Sequence, residues 1–169
     1  MQTTVKLYSL RYNDAKTYLA AALFVLGNLA LPRLFHLLPQ GGVTWLPIYF
    51  FTLIGAYKYG WKVGLLTAIA SPLVNSMLFG MPAVSLLPAI LLKSGLLAIA
   101  SGVAASRFHK ASFPLLIAVV LFYQVVGTFG EWMINGDFFL AIQDFRMGIP
   151  GMLMQVFGGW LFINRIIRQ

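Results

Sequence analysis

The sequence predicts an all-α integral membrane protein, a single domain over residues 1–169 with six transmembrane helices and both termini in the cytoplasm. Three observations predict it. Hydrophobic residues make up 60% of the chain and charged residues 9%, too few charges to clothe a water-exposed domain of this size. Six apolar runs reach or approach the roughly 17–25 residues that cross a bilayer core of about 30 Å. Lys and Arg crowd into alternate breaks between those runs, the asymmetry that orients membrane proteins.

The first helix is expected from Ala15 to Leu31, stopped by Pro32. Lys6, Arg11 and Lys16 ahead of it give the outline of a secretion signal. No small-x-small cleavage site precedes Pro32 and further spans follow, so it reads as a retained helix. The second is expected from Gly42 to Tyr57 with Pro47 in its first turns, the third from Trp61 to Phe79, and the fourth from Ala83 to Ala104. The fifth runs from Phe113 to Gly130, with Pro114 in the first turn where its missing N–H costs nothing. The sixth runs from Met147 to Ile166.

On one side of this arrangement lie Lys6, Arg11, Lys16, Lys58, Lys62, Arg107, Lys110, Arg165 and Arg168; on the other lie only Arg33 and Arg146. The basic side is the cytoplasm, which also accounts for the net charge of +8 without a nucleic-acid partner. Glu131, Asp137 and Asp144 fall on the outer side, as do His36, Gln40, Trp45, Trp132, Asn135 and Gln143. Polarity is thus arranged for something that arrives from outside.

Within the spans, Thr67, Ser71 and Asn75 recur every four residues and form one stripe on the third helix, beside Pro72. Such a stripe serves either interhelical hydrogen bonding or a ligand; Asn75, a turn from the outer end, is the better ligand candidate. Gln124, Thr128 and Glu131 share a face of the fifth helix. Glu131 has three readings: a solvated acid, an ion-pair partner, or a contact to a polar substrate. Lys93 stands in the run "PAILLKSGLLAI", about ten residues from the outer end of its helix. At ~1.5 Å per residue that is about 15 Å deep, beyond easy snorkelling. It points inward, either to a structural acid or to a ligand. Catalytic signatures are weak: the chain has no H-E-x-x-H, no G-x-S-x-G and no phosphate-cradling loop. It has no cysteine, and His36 and His109 lie on opposite sides of the membrane. Neither an enzyme, nor a metal site, nor a cofactor is expected.

The stretch "WLPIYFFTLIGAYKYGWKVGLLTAIASPLVNSMLFGMPAVSLLPAILLKSGLLAIASGVAASRF" (Trp45 to Phe108) resembles the substrate-binding S components of energy-coupling factor (ECF) transporters. The shared features are six helices with both termini inside, the "YG-x-x-x-G" start of the third helix, the short "FGMP" turn and a Gly/Ala-rich fourth helix. The resemblance implies a cell-membrane protein that binds a vitamin or related micronutrient from outside. It also implies docking on a transmembrane coupling protein with two ATPase subunits, and a gate where "RLFHLLPQGG" stands here. Family first helices often carry A-x-x-x-A facing the coupling protein; the nearest matches are Thr17 with Ala21 and Ala20 with Gly27. No G-P-T-G-G-Y-type signature of biotin-binding members occurs.

On this reading the substrate pocket is lined by Asn75, Lys93, Gln124 and Glu131, with Ser71, Trp45 and His36 as further contacts, and closed by the first loop and residues 131 to 146. Trp45, Tyr123 and Trp132 are aromatic faces on which a ring could stack. A lysine with an acid nearby suits a cargo bearing a carboxylate or phosphate plus a polar or cationic group. The alternative is an MreD-like scaffold of the cell-wall elongation machinery, which is similar in size and helix count but has no need of a deep lysine.

Overall fold

The computed structural model describes residues 10–166. Lys6 and Arg168, counted in the charge asymmetry, lie outside them. Among the described residues every regular element is helical. Helix α1 spans Ala15–Phe35, α2 Gly41–Trp45 and α3 Phe50–Tyr59, the last entered through a 3-10 turn at Pro47–Tyr49. Helix α4 spans Trp61–Phe79 and α5 Leu87–Phe108, preceded by a 3-10 turn at Val84–Leu86. Helix α6 spans Phe113–Asn135, followed by the short α7 Phe138–Ala141 and α8 Gln143–Met147. Helix α9, Ile149–Leu161, continues into a π-helical segment at Phe162–Ile166.

Among the described residues, four segments are long and apolar enough to cross a membrane: Ala15–Phe35, Trp61–Phe79, Val84–Phe108 and Phe113–Asn135. Their outward faces carry exposed large apolar side chains, among them Leu19, Leu23 and Leu26 on α1 and Phe122, Val125 and Phe129 on α6. Such faces are aggregation-prone in water and match a lipid environment.

The boundaries differ from expectation where proline acts. Pro32 does not end α1, which runs one turn further to Phe35. The ring removes the N–H that would have bonded the Asn28 carbonyl, and the Asn75 side-chain amide donates to that carbonyl at 2.9 Å instead. The expected second span is broken at Leu46, whose φ of 45° and ψ of 46° lie in the left-handed region. Pro47 disfavours the right-handed helical conformation in the residue before it, so the chain turns there. The three-residue 3-10 turn and ten-residue α3 that follow extend about 21 Å at ~2.0 and ~1.5 Å per residue, against a core of about 30 Å. The helix at the place of the expected sixth span begins at Ile149 instead of Met147, and α6 extends past Gly130 to Asn135, taking Glu131 into the helix.

Close approach is built from small residues. A Cβ on Gly64 would collide with Ala56, and one on Gly102 with the Trp61 backbone, so α4 and α5 pack backbone against backbone. Thr17 and Ala21, the nearest match to the partner-facing pattern of the family, are buried inside this chain's own bundle. Gly27 packs against the Phe51 ring. At the end of the bundle that holds the amino terminus of α4, the Tyr57 hydroxyl donates to the Lys110 carbonyl and Asn164 to the Ala111 carbonyl. These bonds close that end. The opposite end is open.

Candidate functional site

The open end holds two buried polar clusters. The first ties α1, α3 and α4 together through Asn28. Its amide nitrogen donates to Thr52 Oγ1 and Ser71 Oγ, both at 3.1 Å. Its side-chain oxygen accepts from the Phe51 backbone N–H at 3.2 Å, a first-turn donor that the helix itself leaves without a carbonyl. With Asn75 on its main-chain oxygen, both side-chain N–H groups, the side-chain oxygen and the carbonyl of Asn28 each have a partner. Asn28 was not among the residues singled out from sequence, although its position four residues before Pro32 marks it: that carbonyl had to find a foreign donor.

The second cluster centres on Lys93, the seventh residue of α5 and 1% exposed. Its stem crosses α6 at Gly127, where any Cβ would lie 2.6 Å from Lys93 Cγ. One turn further along α6, the Glu131 carboxylate meets the ammonium at 2.5 Å. Asp144 of α8 meets it from the other side, with Oδ2 at 2.7 Å. One buried cation is therefore held by two acids. Glu131 belongs to the residues expected here. Asp144 does not, though it lies in the 131–146 stretch expected to close the pocket.

Lys93, Glu131 and Asp144 all line a cavity of about 770 Å³. Its remaining walls are mostly apolar, with Leu46, Ile48 and Tyr49 on one side and Phe79, Ala89 and Ile90 on another. Pro32, Arg33, His36 and Leu37 contribute the α1 side. The Arg33 guanidinium lies over the Phe79 ring, 3.7 Å from its centroid. The segment after α1 covers this region: His36, Gly42 and Gln143 border both the main cavity and a smaller one of about 400 Å³.

Of the expected ligand contacts, Asn75, Lys93, Glu131 and His36 line the main cavity, and Ser71, Gln124 and Trp45 do not. The Ser71 hydroxyl is taken by Asn28. Thr67, at the inner end of the same stripe, bonds its own Val63 carbonyl at 2.9 Å. Gln124 is fully buried in α6, and among the described residues neither of its amide atoms has a hydrogen-bond partner. Trp45 stacks on Phe35 at 5.2 Å, because the chain reverses at Leu46 and turns the indole toward α1. Tyr123 donates to Gln155 Oε1 at 3.0 Å and packs against Tyr49, while Trp132 makes edge contacts with Phe129 and Phe138. Neither lines the cavity.

The arrangement is suited to holding a small molecule, with apolar walls around one charged patch. Among the described residues no three His, Asp or Glu side chains gather where a metal ion could sit. Set against known proteins, the chain matches no family model, no curated protein and no solved structure. Lys93 was the basis for expecting a carboxylate on the cargo. Its two acids remove that basis.

Proposed function

We propose that the chain is the substrate-binding membrane subunit of an ECF-type importer, capturing a vitamin-like small molecule from outside the cell. In this reading it sits in the plasma membrane with six spans and both termini in the cytoplasm. It delivers its cargo through a transmembrane coupling protein driven by two ATPase subunits. The observation that carries the reading is the cavity of about 770 Å³ with a buried ion cluster in its wall. That volume is in the range of roughly 300–1,000 Å³ typical of small-molecule sites. The cavity opens at the end that the basic-residue asymmetry assigns to the outside. A scaffold has no use for a buried charged cluster in the wall of a cavity.

The six-span topology is supported by the way the two short spans are completed. Helices α3 and α9 each follow a short helix, α2 and α8, and the two units meet where Gly148 and Gly151 pack on Leu46 and Trp45. Each unit thereby reaches further toward the open end than its main helix alone.

The test is native mass spectrometry of the protein purified from its own membranes, before and after incubation with a small-molecule extract of the cells. A bound species of a few hundred daltons is expected, together with co-purification of the coupling protein and ATPases from mild detergent. A folded protein that retains no small molecule from the extract sinks the reading.

A further inference from the structure

Resting on the capture reading, we propose that the cavity selects an organic cation, whose positive group docks against the free carboxylate oxygens of Glu131 and Asp144. Charge comes first. The buried cluster holds one ammonium and two carboxylates, a net charge of −1 on one wall. Arg33 also lines the cavity as a cation; it lies over the Phe79 ring and makes no ion pair with either acid, so the surplus negative charge is local to the Lys93 cluster. His36, on the α1 side, and Tyr49 are the remaining titratable groups on the walls.

Geometry comes second. Lys93 engages Glu131 Oε2 and Asp144 Oδ2. Among the described residues nothing donates to Glu131 Oε1 or Asp144 Oδ1, although a carboxylate has room for about four hydrogen bonds. An ammonium or similar donor in the cavity completes both acids and neutralises the cluster at once. An anionic group there would face two carboxylates across a poorly solvated space, where like charges repel strongly. Asp144 sits on the short α8, its side chain 26% exposed, so it is the more accessible of the two acids.

The experiment uses three probes with one body and different heads: 4-methylbenzylammonium, 4-methylbenzyl alcohol and 4-methylbenzoate. Binding is measured by calorimetry on the full chain in lipid nanodiscs. The ammonium should bind about tenfold or more tightly than the alcohol, and the benzoate most weakly. Asp144→Asn leaves Lys93 paired one-to-one with Glu131 and should erase the ammonium's advantage over the alcohol. Its circular dichroism and melting curve verify that the variant is folded. A benzoate that binds best, or an ammonium unaffected by Asp144→Asn, overturns the proposal. Native mass spectrometry separates the two levels. A co-purified molecule that is neutral or anionic at pH 7 overturns the cation class and leaves capture intact. Absence of any bound molecule, with all three probes silent, overturns both.

Discussion

Asn28 and Lys93 are both buried polar residues at the open end of the bundle, and their surroundings differ in one respect. The Asn28 cluster is neutral and closed: every donor and acceptor of the asparagine side chain is used within α1, α3 and α4. The Lys93 cluster is charged and unbalanced, with one acid more than its cation can neutralise. A closed cluster fastens helices. An unbalanced one beside a cavity leaves something for a ligand to complete. Breaking each cluster in turn should therefore give different phenotypes.

Lys93→Met has the largest expected effect. It leaves Glu131 and Asp144 facing each other without a cation, and removing one partner from a buried ion pair costs about 3–5 kcal/mol. Thermal unfolding in nanodiscs should show the loss, and 4-methylbenzylammonium should restore part of the melting temperature by taking the place of the missing ammonium. A variant that melts like the wild type would mean that the cluster is well hydrated and the imbalance unimportant. Gly127→Val comes next. Its side chain enters the space of the Lys93 stem, and overpacking of this kind costs about 1–3 kcal/mol. Because it displaces the ammonium from its acids and leaves them less neutralised, it should cost stability while strengthening cation binding. Its melting temperature should fall and its ammonium affinity rise.

These outcomes bear on how much of the molecule could be read from its sequence. Helix α4 was legible to the residue because Gly60 and Gly80 bracket it with φ values of 98° and 65°, conformations that stop a helix and favour glycine. The burial of Lys93 was legible from the apolar length around it, and an acid was among the partners expected for it. The break at Leu46 was not, because Pro47 looks the same as a harmless first-turn proline until the preceding residue's restriction is weighed. Asp144 escaped for a related reason. Residues after Gly136 show no helical period, yet they fold into α7, whose N-cap Asp137 bonds the N–H groups of Phe139 and Leu140, and then α8. That double turn carries Asp144 back over Lys93, a non-local contact that periodicity does not encode. The polar stripe of Thr67, Ser71 and Asn75 was correctly placed on one face. Its partner Asn28 was not singled out, although the carbonyl that Pro32 leaves without an N–H marks that position.

The closed cluster should respond by stability alone. Asn28→Leu removes the bonds to Thr52, Ser71 and the Phe51 N–H. At an average of ~0.6 kcal/mol per interhelical bond in a membrane, about 1–2 kcal/mol should be lost. Ser71→Ala removes one of these bonds and should cost only about 0.6 kcal/mol, since Asn28 keeps Thr52 and its amide still has an acceptor. Neither residue lines the cavity, so the affinities of all three probes should match the wild type in both variants. The smaller substitution is the sharper test. Asn28→Leu could shift α1 and move the cavity wall with it, whereas Ser71→Ala changes one hydroxyl and leaves the helices in place. If probe affinity falls in Ser71→Ala while the melting curve holds, the two clusters are coupled through Asn75, which bonds Asn28 and also lines the cavity. The distinction between a fastening cluster and a binding cluster would then fail at that residue.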